Sequence, residues 1–345
     1  MTRRPGRRAP AAPLGQREGV DPVRVRLPGP GPASGSGAAG AAGWATVGGY
    51  LLARYGPAVG RERIEAMLAE GRFVTATGPV EERTPYEAGA WVWFHRDFPV
   101  EPVVPFPVEV LYRDERIVVA DKPHFLATTP RGSHVTETAL ARLRRDLGLP
   151  LLAPAHRLDR LTAGVVLFVV RPEDRGAYQT LFRDRRVRKV YEAVAAHDPA
   201  VALPLTVRSR IEKERGQMAA REVPGPWNAE SRIELLATGG GLGRYRLLPL
   251  TGRTHQLRVH MNGLGLPLLN DPVYPVPADG PEPLAGRDPA SGVGGAEADP
   301  FARPLQLLAR TLEFTDPLTG RELRFDSARL LAAWPPGAEE ERAGG

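Results

Sequence analysis

The sequence predicts an α+β protein built from two folded parts, and two observations lead to this fold class. From about residue 101 to residue 335, short apolar runs of strand length outnumber helical patterns. Ahead of this region, residues 41–100 show two apolar helical faces followed by short strand patterns. We therefore expect a small α/β unit followed by a larger, strand-rich unit.

The small unit begins with helices. Val47 and Tyr50 lie on one helical face, and Ile64 and Met67 lie on a second after a Gly-Pro-Ala-Val-Gly break. A short strand follows around Phe73–Thr77, and the turn Gly78-Pro79 leads to an alternating strand at Trp91–Phe94.

This order of elements resembles the small RNA-binding module first seen in ribosomal small-subunit protein four. The resemblance implies that Arg61, Arg63 and Arg72 face RNA. Thr77-Gly78 stands where that module usually has an Asn-Gly turn. A generic capping unit is the alternative interpretation.

The elements of the larger unit follow from apolar periodicity and turn residues. We predict strands at 108–112, 116–121, 164–170, 189–195, 231–236, 245–249 and 312–314, and helices at 136–147 and 174–185.

Three further segments have little apolar content. Residues 1–40 are rich in Arg, Pro, Gly and Ala, and we expect a disordered basic tail that contacts RNA phosphates or is simply solvated. Residues 275–303 predict a flexible insertion, and residues 336–345 predict a polar tail.

The composition excludes several classes of protein. The chain has 345 residues, 42% of them hydrophobic and 25% charged, as in ordinary globular domains. It contains no cysteine, which rules out disulfides, thiol nucleophiles, iron–sulfur clusters and thiolate zinc sites. We find neither a membrane-spanning run nor the apolar stretch of a secretory signal, so we expect a cytoplasmic protein that does not engage membranes.

The net charge of +6 permits a nucleic-acid partner without demonstrating one. Arginine dominates the basic residues, as in proteins of GC-rich genomes, and only Lys122, Lys189 and Lys213 are lysines.

A polar segment directly precedes the predicted strand at 164–170. There Asp159 has arginines on both sides, Arg157 and Arg160, which favours an ionised carboxylate able to act as a nucleophile. A surface turn with ordinary ion pairs is the alternative.

Two more segments concentrate polar groups. Lys189 and Tyr191 share a strand face and present a cation and a ring together, unless the strand is merely half-buried with its lysine reaching solvent. Residues 252–260 hold a dense row of donors that includes His255 and His260, but no third ligand lies near them in sequence, which argues against a metal site.

Together, the segments His156-Arg157-Leu158-Asp159-x-x-Thr162-x-Gly164, Lys189-x-Tyr191 and Gly252-Arg253-Thr254-His255-Gln256-Leu257-Arg258-x-His260 resemble the three signature motifs of RluA-type pseudouridine synthases. Asp121-Lys122-Pro123 and the segment Gly265–Tyr274 resemble two further motifs of that family. The resemblance spans roughly residues 101–335. It implies a mixed, mainly antiparallel central sheet with flanking helices and loops, and an isomerase that converts uridine to pseudouridine in structured RNA.

The resemblance also implies roles for individual residues. Asp159 matches the essential aspartate, which attacks the base or acts on the sugar, and Arg258 matches the arginine that ion-pairs with it. Tyr191 matches the tyrosine that stacks on the flipped uracil and is a candidate for proton transfer. Arg157 matches the side chain that fills the gap in the RNA stack. We count His156, Lys189, Arg253, His255 and Gln256 as further RNA-binding residues.

The chain departs from the family pattern at four places. Ala163 replaces a serine, Phe125 stands at a glycine position after His124, Asn270 replaces a second glycine, and Ala309 replaces a histidine. These changes leave the three catalytic groups in place, so we expect activity with an altered pocket rim.

The resemblance implies no metal or organic cofactor, an RNA partner (large-subunit ribosomal RNA before tRNA), no obligatory protein partner, and a monomer. A catalytically silent RNA-binding factor is the main alternative function. A phosphotransferase, suggested by the order His-Arg-Leu-Asp, lacks a glycine-rich phosphate loop and an Asp-Phe-Gly motif.

Overall fold

The computed structural model divides the chain into two compact units, Met1–Pro99 and Val100–Gly345, with a boundary one residue from the expected one. It describes residues 10–29, 44–275 and 299–334. The remaining residues of the predicted tails and of the predicted insertion lie outside the described part.

The first unit packs two helices against a four-stranded sheet of order β1-β4-β2-β3. Its elements are β1 (Val23–Arg26), α1 (Val47–Val59), α2 (Arg61–Ala69), β2 (Val74–Thr75), β3 (Gly78–Pro79) and β4 (Trp91–Phe94). Thr46 caps α1 by accepting a hydrogen bond from the backbone N–H of Gly49 at 3.2 Å. Gly60, with a φ of 99°, separates the two helices.

Strand β1 corrects the prediction that residues 1–40 are disordered. It pairs antiparallel with β4, and Val23 and Val25 pack against the core while Arg24 and Arg26 are exposed. The period-two alternation of valine and arginine defines a half-buried strand, although the segment as a whole is poor in apolar residues.

The main sheet of the second unit has ten strands: eight follow the order β10-β13-β14-β9-β15-β8-β6-β5, β16 pairs with β15, and β7 pairs with β8. Strands β11 and β12 form a separate two-stranded sheet in this unit. Its strands are β5 (Glu109–Arg113), β6 (Ile117–Lys122), β7 (Ala153–Pro154), β8 (Ala163–Val169), β9 (Arg188–Ala196), β10 (Leu205–Ser209), β11 (Ile211–Glu212), β12 (Arg221–Glu222), β13 (Ala229–Gly239), β14 (Leu242–Pro249), β15 (Leu307–Thr315) and β16 (Glu322–Asp326). Its helices are α3 (Ala139–Leu147), α4 (Arg175–Arg183) and α5 (Gln256–Gly263). The β8–β15 pair is parallel, whereas the other pairs along this path are antiparallel. The predicted α+β class with a mainly antiparallel sheet is confirmed.

Strand β8 is buried along its whole length, as its continuous apolar run predicts. Gly164 lies at the parallel contact with β15 and has a φ of 116°. A Cβ atom at this position would lie 2.2 Å from the carbonyl oxygen of Ala309. Glycine is therefore required here by both the backbone conformation and the closeness of the neighbouring strand.

Several elements were not predicted from the sequence. Helix α5 runs through the third motif, where the sequence predicts only a row of donors. At the end of the predicted insertion, Phe301 packs edge-on against Phe125 with ring centroids 5.3 Å apart, so that end is anchored in the core.

Candidate active site

The three motifs meet at one cavity of about 900 Å³ in the second unit. Every predicted site residue of this unit lines the cavity: His156, Arg157, Asp159, Lys189, Tyr191, Arg253, His255, Gln256 and Arg258. The volume lies within the range of about 300–1,000 Å³ that is typical of small-molecule sites.

The loop that holds Asp159 is fixed by buried polar groups. The hydroxyl of Thr128 donates to the carbonyl of Leu158 at 2.8 Å and accepts from its N–H at 3.1 Å. The buried ammonium group of Lys122 donates to the carbonyl of Arg160 at 3.3 Å. These contacts hold the backbone on both sides of Asp159 and leave its side chain 34% exposed to the cavity.

Lys122 is fully buried, and three backbone carbonyls accept from its Nζ. Burial lowers its pKa well below the usual value, while the negative charge of Asp159 acts in the opposite direction. The lysine is therefore a buried anchor of the loop.

One departure from the family pattern, Phe125, lies in this region. Phe125 adopts a left-handed φ of 66° at the position where the family usually has glycine, and it is held there by packing in the core. Nδ1 of His124 donates to the carbonyl of Leu161 at 2.7 Å, which adds another anchor for the loop. Burial lowers the pKa of His124 to about 4, so its ring is neutral near pH 7.

Arg258 is aimed into the site from helix α5 and is 2% exposed. Its Nε and Nη2 donate to the two carboxylate oxygens of Asp271, each at 2.7 Å. Its Nη1 lies 3.9 Å from Oδ2 of Asp159. The expected pair of Arg258 and Asp159 is therefore present, but Asp271 is the closer, bidentate partner.

The surroundings of Arg258 keep it charged. Burial lowers the pKa of the guanidinium, but the hydrogen bonds and charge of Asp271 outweigh this effect and the pKa is raised. The ring of Tyr274 packs against the guanidinium, with 5.2 Å between the ring centroid and Cζ. Oδ1 of Asp271 also accepts from the N–H groups of Val273 and Tyr274, at 2.9 and 3.2 Å.

A second departure from the family pattern lies beside this pair. Asn270 has a left-handed φ of 62° at the position of a family glycine. Asparagine tolerates this conformation better than most residues, so the turn that presents Asp271 is preserved. The motif at 265–274 was noted from the sequence, but neither Asp271 nor Tyr274 was recognised as a site residue.

Tyr191 and Lys189 extend from β9 into the cavity. Burial and the nearby charge of Asp159 raise the pKa of Tyr191, so its hydroxyl stays protonated. The ammonium group of Lys189 donates to the carbonyl of Thr251 at 3.1 Å. Burial and the charge of Arg185 lower the pKa of Lys189 to about 8.

Gln256 is corrected from an RNA-binding residue to a scaffold residue. It is 4% exposed, its amide oxygen accepts from Thr251 and Arg253, and its amide nitrogen donates to Glu230 and Ser231. All four hydrogen-bonding positions of the amide are occupied, and none remains for RNA.

Two histidines of the motifs also have protein partners. Nε2 of His156 accepts from the N–H of Leu167 at 3.1 Å, and its ring stacks on Phe182. Nδ1 of His255 lies 3.1 Å from the hydroxyl of Tyr274. Burial lowers the pKa of His156 to about 3 and that of His255 to about 4, so both rings are neutral near pH 7. By contrast, Arg157 and Arg253 are exposed at the cavity.

The predicted RNA-binding arginines of the first unit take part in ion pairs. Arg63 and Arg72 both bind the carboxylate of Asp97, at 2.7 Å, and Arg61 pairs with Glu65 at 2.8 Å. The resemblance of this unit to the small RNA-binding module stays a prediction.

Across residues 10–29, 44–275 and 299–334, no group of three or more His, Asp or Glu side chains is placed to hold a metal ion. Within the same ranges, no helix has both the length and the apolar character needed to cross a membrane.

Comparison with known proteins agrees with the motifs. The sequence profile of the RNA pseudouridylate synthase family matches residues 116–263. The dual-specificity RNA pseudouridine synthase RluA of Yersinia pestis is 30% identical over 228 residues, which cover 63% of this chain and 96% of that protein. The solved structure of human RNA pseudouridylate synthase domain containing 4 covers 63% of this chain and 87% of that chain, at 27% identity and a TM-score of 0.46.

Other relatives are longer than the matched region. Human pseudouridylate synthase RPUSD2 is 34% identical over 197 residues, which are 54% of this chain and 34% of that protein. This chain therefore spans about a third of the length of that relative. A mitochondrial tRNA pseudouridine(32) synthase of Saccharomyces cerevisiae is 31% identical over 184 residues, which cover 52% of this chain and 39% of that protein. The match to the Yersinia pestis enzyme, of which this chain covers 96%, shows that the chain belongs to the RluA-type RNA pseudouridine synthase family.

Proposed function

We propose that this protein isomerises specific uridines in structured RNA to pseudouridine, with Asp159 as the essential carboxylate. One observation carries the proposal. Asp159 is exposed to a cavity of nucleoside size, with Nη1 of the buried Arg258 3.9 Å away and the hydroxyl-bearing ring of Tyr191 in the same wall.

The reaction is balanced without an oxidant or a reductant. The bond between N1 of uracil and C1′ of ribose breaks, and a bond between C5 and C1′ forms. The proton on C5 is lost and N1 gains one. Asp159 starts this exchange by acting on the base or on the sugar, and Arg258 stabilises its charged form.

The target uridine must leave the RNA stack, because the bond to be broken is inaccessible in a stacked base. Arg157 is exposed at the cavity and is long enough to occupy the space that the base leaves. A confined pocket also retains the detached uracil until it rejoins the sugar through carbon.

Tyr191 serves first as the ring on which the flipped uracil stacks. Its raised pKa makes the hydroxyl a poor acid, so it does not act as a free tyrosinate base. It takes the C5 proton only if it passes its own proton onward to a base at the same time.

We propose large-subunit ribosomal RNA as the first substrate class and tRNA as the second. The names of two relatives support tRNA as the second class, because one is a tRNA pseudouridine(32) synthase and the other a dual-specificity RNA pseudouridine synthase. We also propose that the first unit assists RNA binding in the cytoplasm, and that a monomer without a protein partner is sufficient for activity.

The deciding experiment maps pseudouridines in ribosomal RNA and tRNA from cells with and without the gene. We expect at least one site to disappear and to return with the wild-type protein but not with Asp159→Asn. Asp146→Asn is the matched control, because that aspartate is a solvent-exposed residue with 59% side-chain exposure. If no site changes, or if Asp159→Asn restores it, the proposed function is wrong, and a silent RNA-binding factor becomes the better interpretation.

A further inference from the structure

A tryptophan is exposed beside the candidate active site. Trp227 is 48% exposed, and the next residue, Asn228, lines the cavity. Single exposed apolar residues are common on proteins, so exposure alone indicates nothing. The way this side chain is held, and where it is held, give it significance.

The loop that presents Trp227 is rigid. Pro224 and Pro226 restrict the backbone on both sides of Gly225, which has a φ of 134°. The side chain of Asn228 accepts from the N–H of Ile211 at 2.9 Å and donates to its carbonyl at 3.1 Å. The ring is therefore presented on a loop whose ordering entropy has already been lost.

The ring itself is also supported. The guanidinium of Arg208 lies over it, with 5.6 Å between Cζ and the ring centroid. Glu230 in turn binds Nε of Arg208 at 2.6 Å. Arg208 is therefore held in place on the ring of Trp227. Because almost half of the tryptophan is still exposed, ring surface remains available for a second flat group.

The same loop is joined to the basic rim of the cavity. Nε of Arg253, an exposed residue that lines the cavity, donates to the carbonyl of Asn228 at 3.2 Å. A nucleic acid that places one base in the cavity brings its phosphates to this rim and an adjacent nucleotide to the loop.

We propose that Trp227 is a stacking platform for an unpaired RNA base next to the uridine held in the cavity. This inference rests on the proposed function and deepens it, because it names a contact that selects a single-stranded or looped target over a continuous duplex. Every base has a flat face, so the platform favours an accessible base without reading its identity.

The test uses the full-length protein and RNA purified from cells that lack the gene. Alanine replacement of a stacking aromatic weakens binding by about 5- to 150-fold. We expect Trp227→Ala to raise KM and Kd within this range with a smaller change in kcat, and Trp227→Phe to retain most of the affinity. Leu318→Ala, at another residue with 43% exposure, controls for the loss of exposed apolar surface.

The salt dependence separates stacking from a general electrostatic effect. Trp227→Ala should weaken binding equally at every salt concentration and leave the slope of log K against log salt unchanged. Arg253→Ala should instead reduce the magnitude of that slope by about 1, as expected for the loss of one phosphate contact. Ultraviolet cross-linking followed by mass spectrometry should join the peptide with Trp227 to a nucleotide adjacent to the modified site.

Two outcomes overturn the proposal. The first is that Trp227→Ala binds and modifies RNA as the wild type does. The second is that Trp227→Ala changes the oligomeric state in light scattering without changing RNA affinity, which would assign the ring to a protein contact. The proposed function fails separately, if the wild-type protein forms no pseudouridine while the loss of affinity in Trp227→Ala persists.

Discussion

Replacing Asp271 by asparagine should reduce turnover strongly and leave the affinity for RNA almost unchanged. The side chain of Asp271 is 0% exposed, so RNA does not reach it. Its carboxylate holds two nitrogens of Arg258 and leaves only Nη1 directed at Asp159. Asp271 therefore sets the distance between the arginine and the carboxylate of Asp159.

The magnitude follows from this geometry. Removing one partner of a buried ion pair costs about 3–5 kcal/mol of unfolding free energy. Asparagine keeps one acceptor but places an NH₂ group against the other N–H of Arg258, so we expect a loss near the lower end, about 3 kcal/mol. The released guanidinium then closes the 3.9 Å gap to Asp159 by about 1 Å to reach hydrogen-bonding distance. A displacement of this size in an active site costs on the order of 100-fold in rate.

The assay measures pseudouridine formation on RNA from cells lacking the gene, with kcat and KM determined separately, beside urea unfolding. A double variant, Arg258→Met with Asp271→Leu, should recover most of the stability, because a buried ion pair is often replaceable by apolar groups. It should remain inactive, because it lacks the arginine. A normal kcat in Asp271→Asn, or an effect confined to KM, would show that Asp271 does not position Arg258 for turnover.

Three further predictions concern charge and packing. Because the pKa of Lys189 is lowered to about 8, KM for RNA should rise between pH 7 and about 9 as the amine loses its charge, and Lys189→Arg should abolish that rise in a pH series. Gly164→Ala should lose more than about 4 kcal/mol in urea unfolding, because its Cβ would meet a backbone oxygen. Gly176→Ala, with open space in α4, should gain about 0.5–1 kcal/mol, and equal effects at the two glycines would contradict the steric argument. Burial lowers the pKa of His156 to about 3 and that of His260 to about 4, so these histidines bind protons in the unfolded chain at a higher pH than in the folded protein. The urea midpoint should therefore fall as the pH drops from about 6.5, and a constant midpoint would contradict this expectation.

The strand pattern of the second unit was predictable because it depends on local sequence. A continuous apolar run such as that of β8 places apolar side chains on both faces of the strand, so both faces must be buried. In the structure every residue of β8 is buried. Motifs that resemble a known family also identified Asp159, Tyr191 and Arg258 as residues of one site, and all three line the same cavity.

Other features depend on which distant residues meet. Phe125 and Asn270 stand where the family pattern has glycine, and both keep a left-handed backbone in the structure. Packing in the core supports this conformation at Phe125, and asparagine tolerates it at position 270. The row of donors around Gln256 predicts an RNA contact, whereas the four hydrogen bonds of its amide are all made within the protein.

The fold class and the positions of most strands of the second unit could be predicted from periodicity, and the proposed role of Asp159 from motifs that resemble a known family. The folded chain adds that Asp271 holds Arg258, that Arg258 lies 3.9 Å from Asp159, and that Trp227 is exposed next to a residue of the cavity. Ion-pair geometry and exposure arise from contacts between segments far apart in the chain, so local sequence patterns contain no information about those distances.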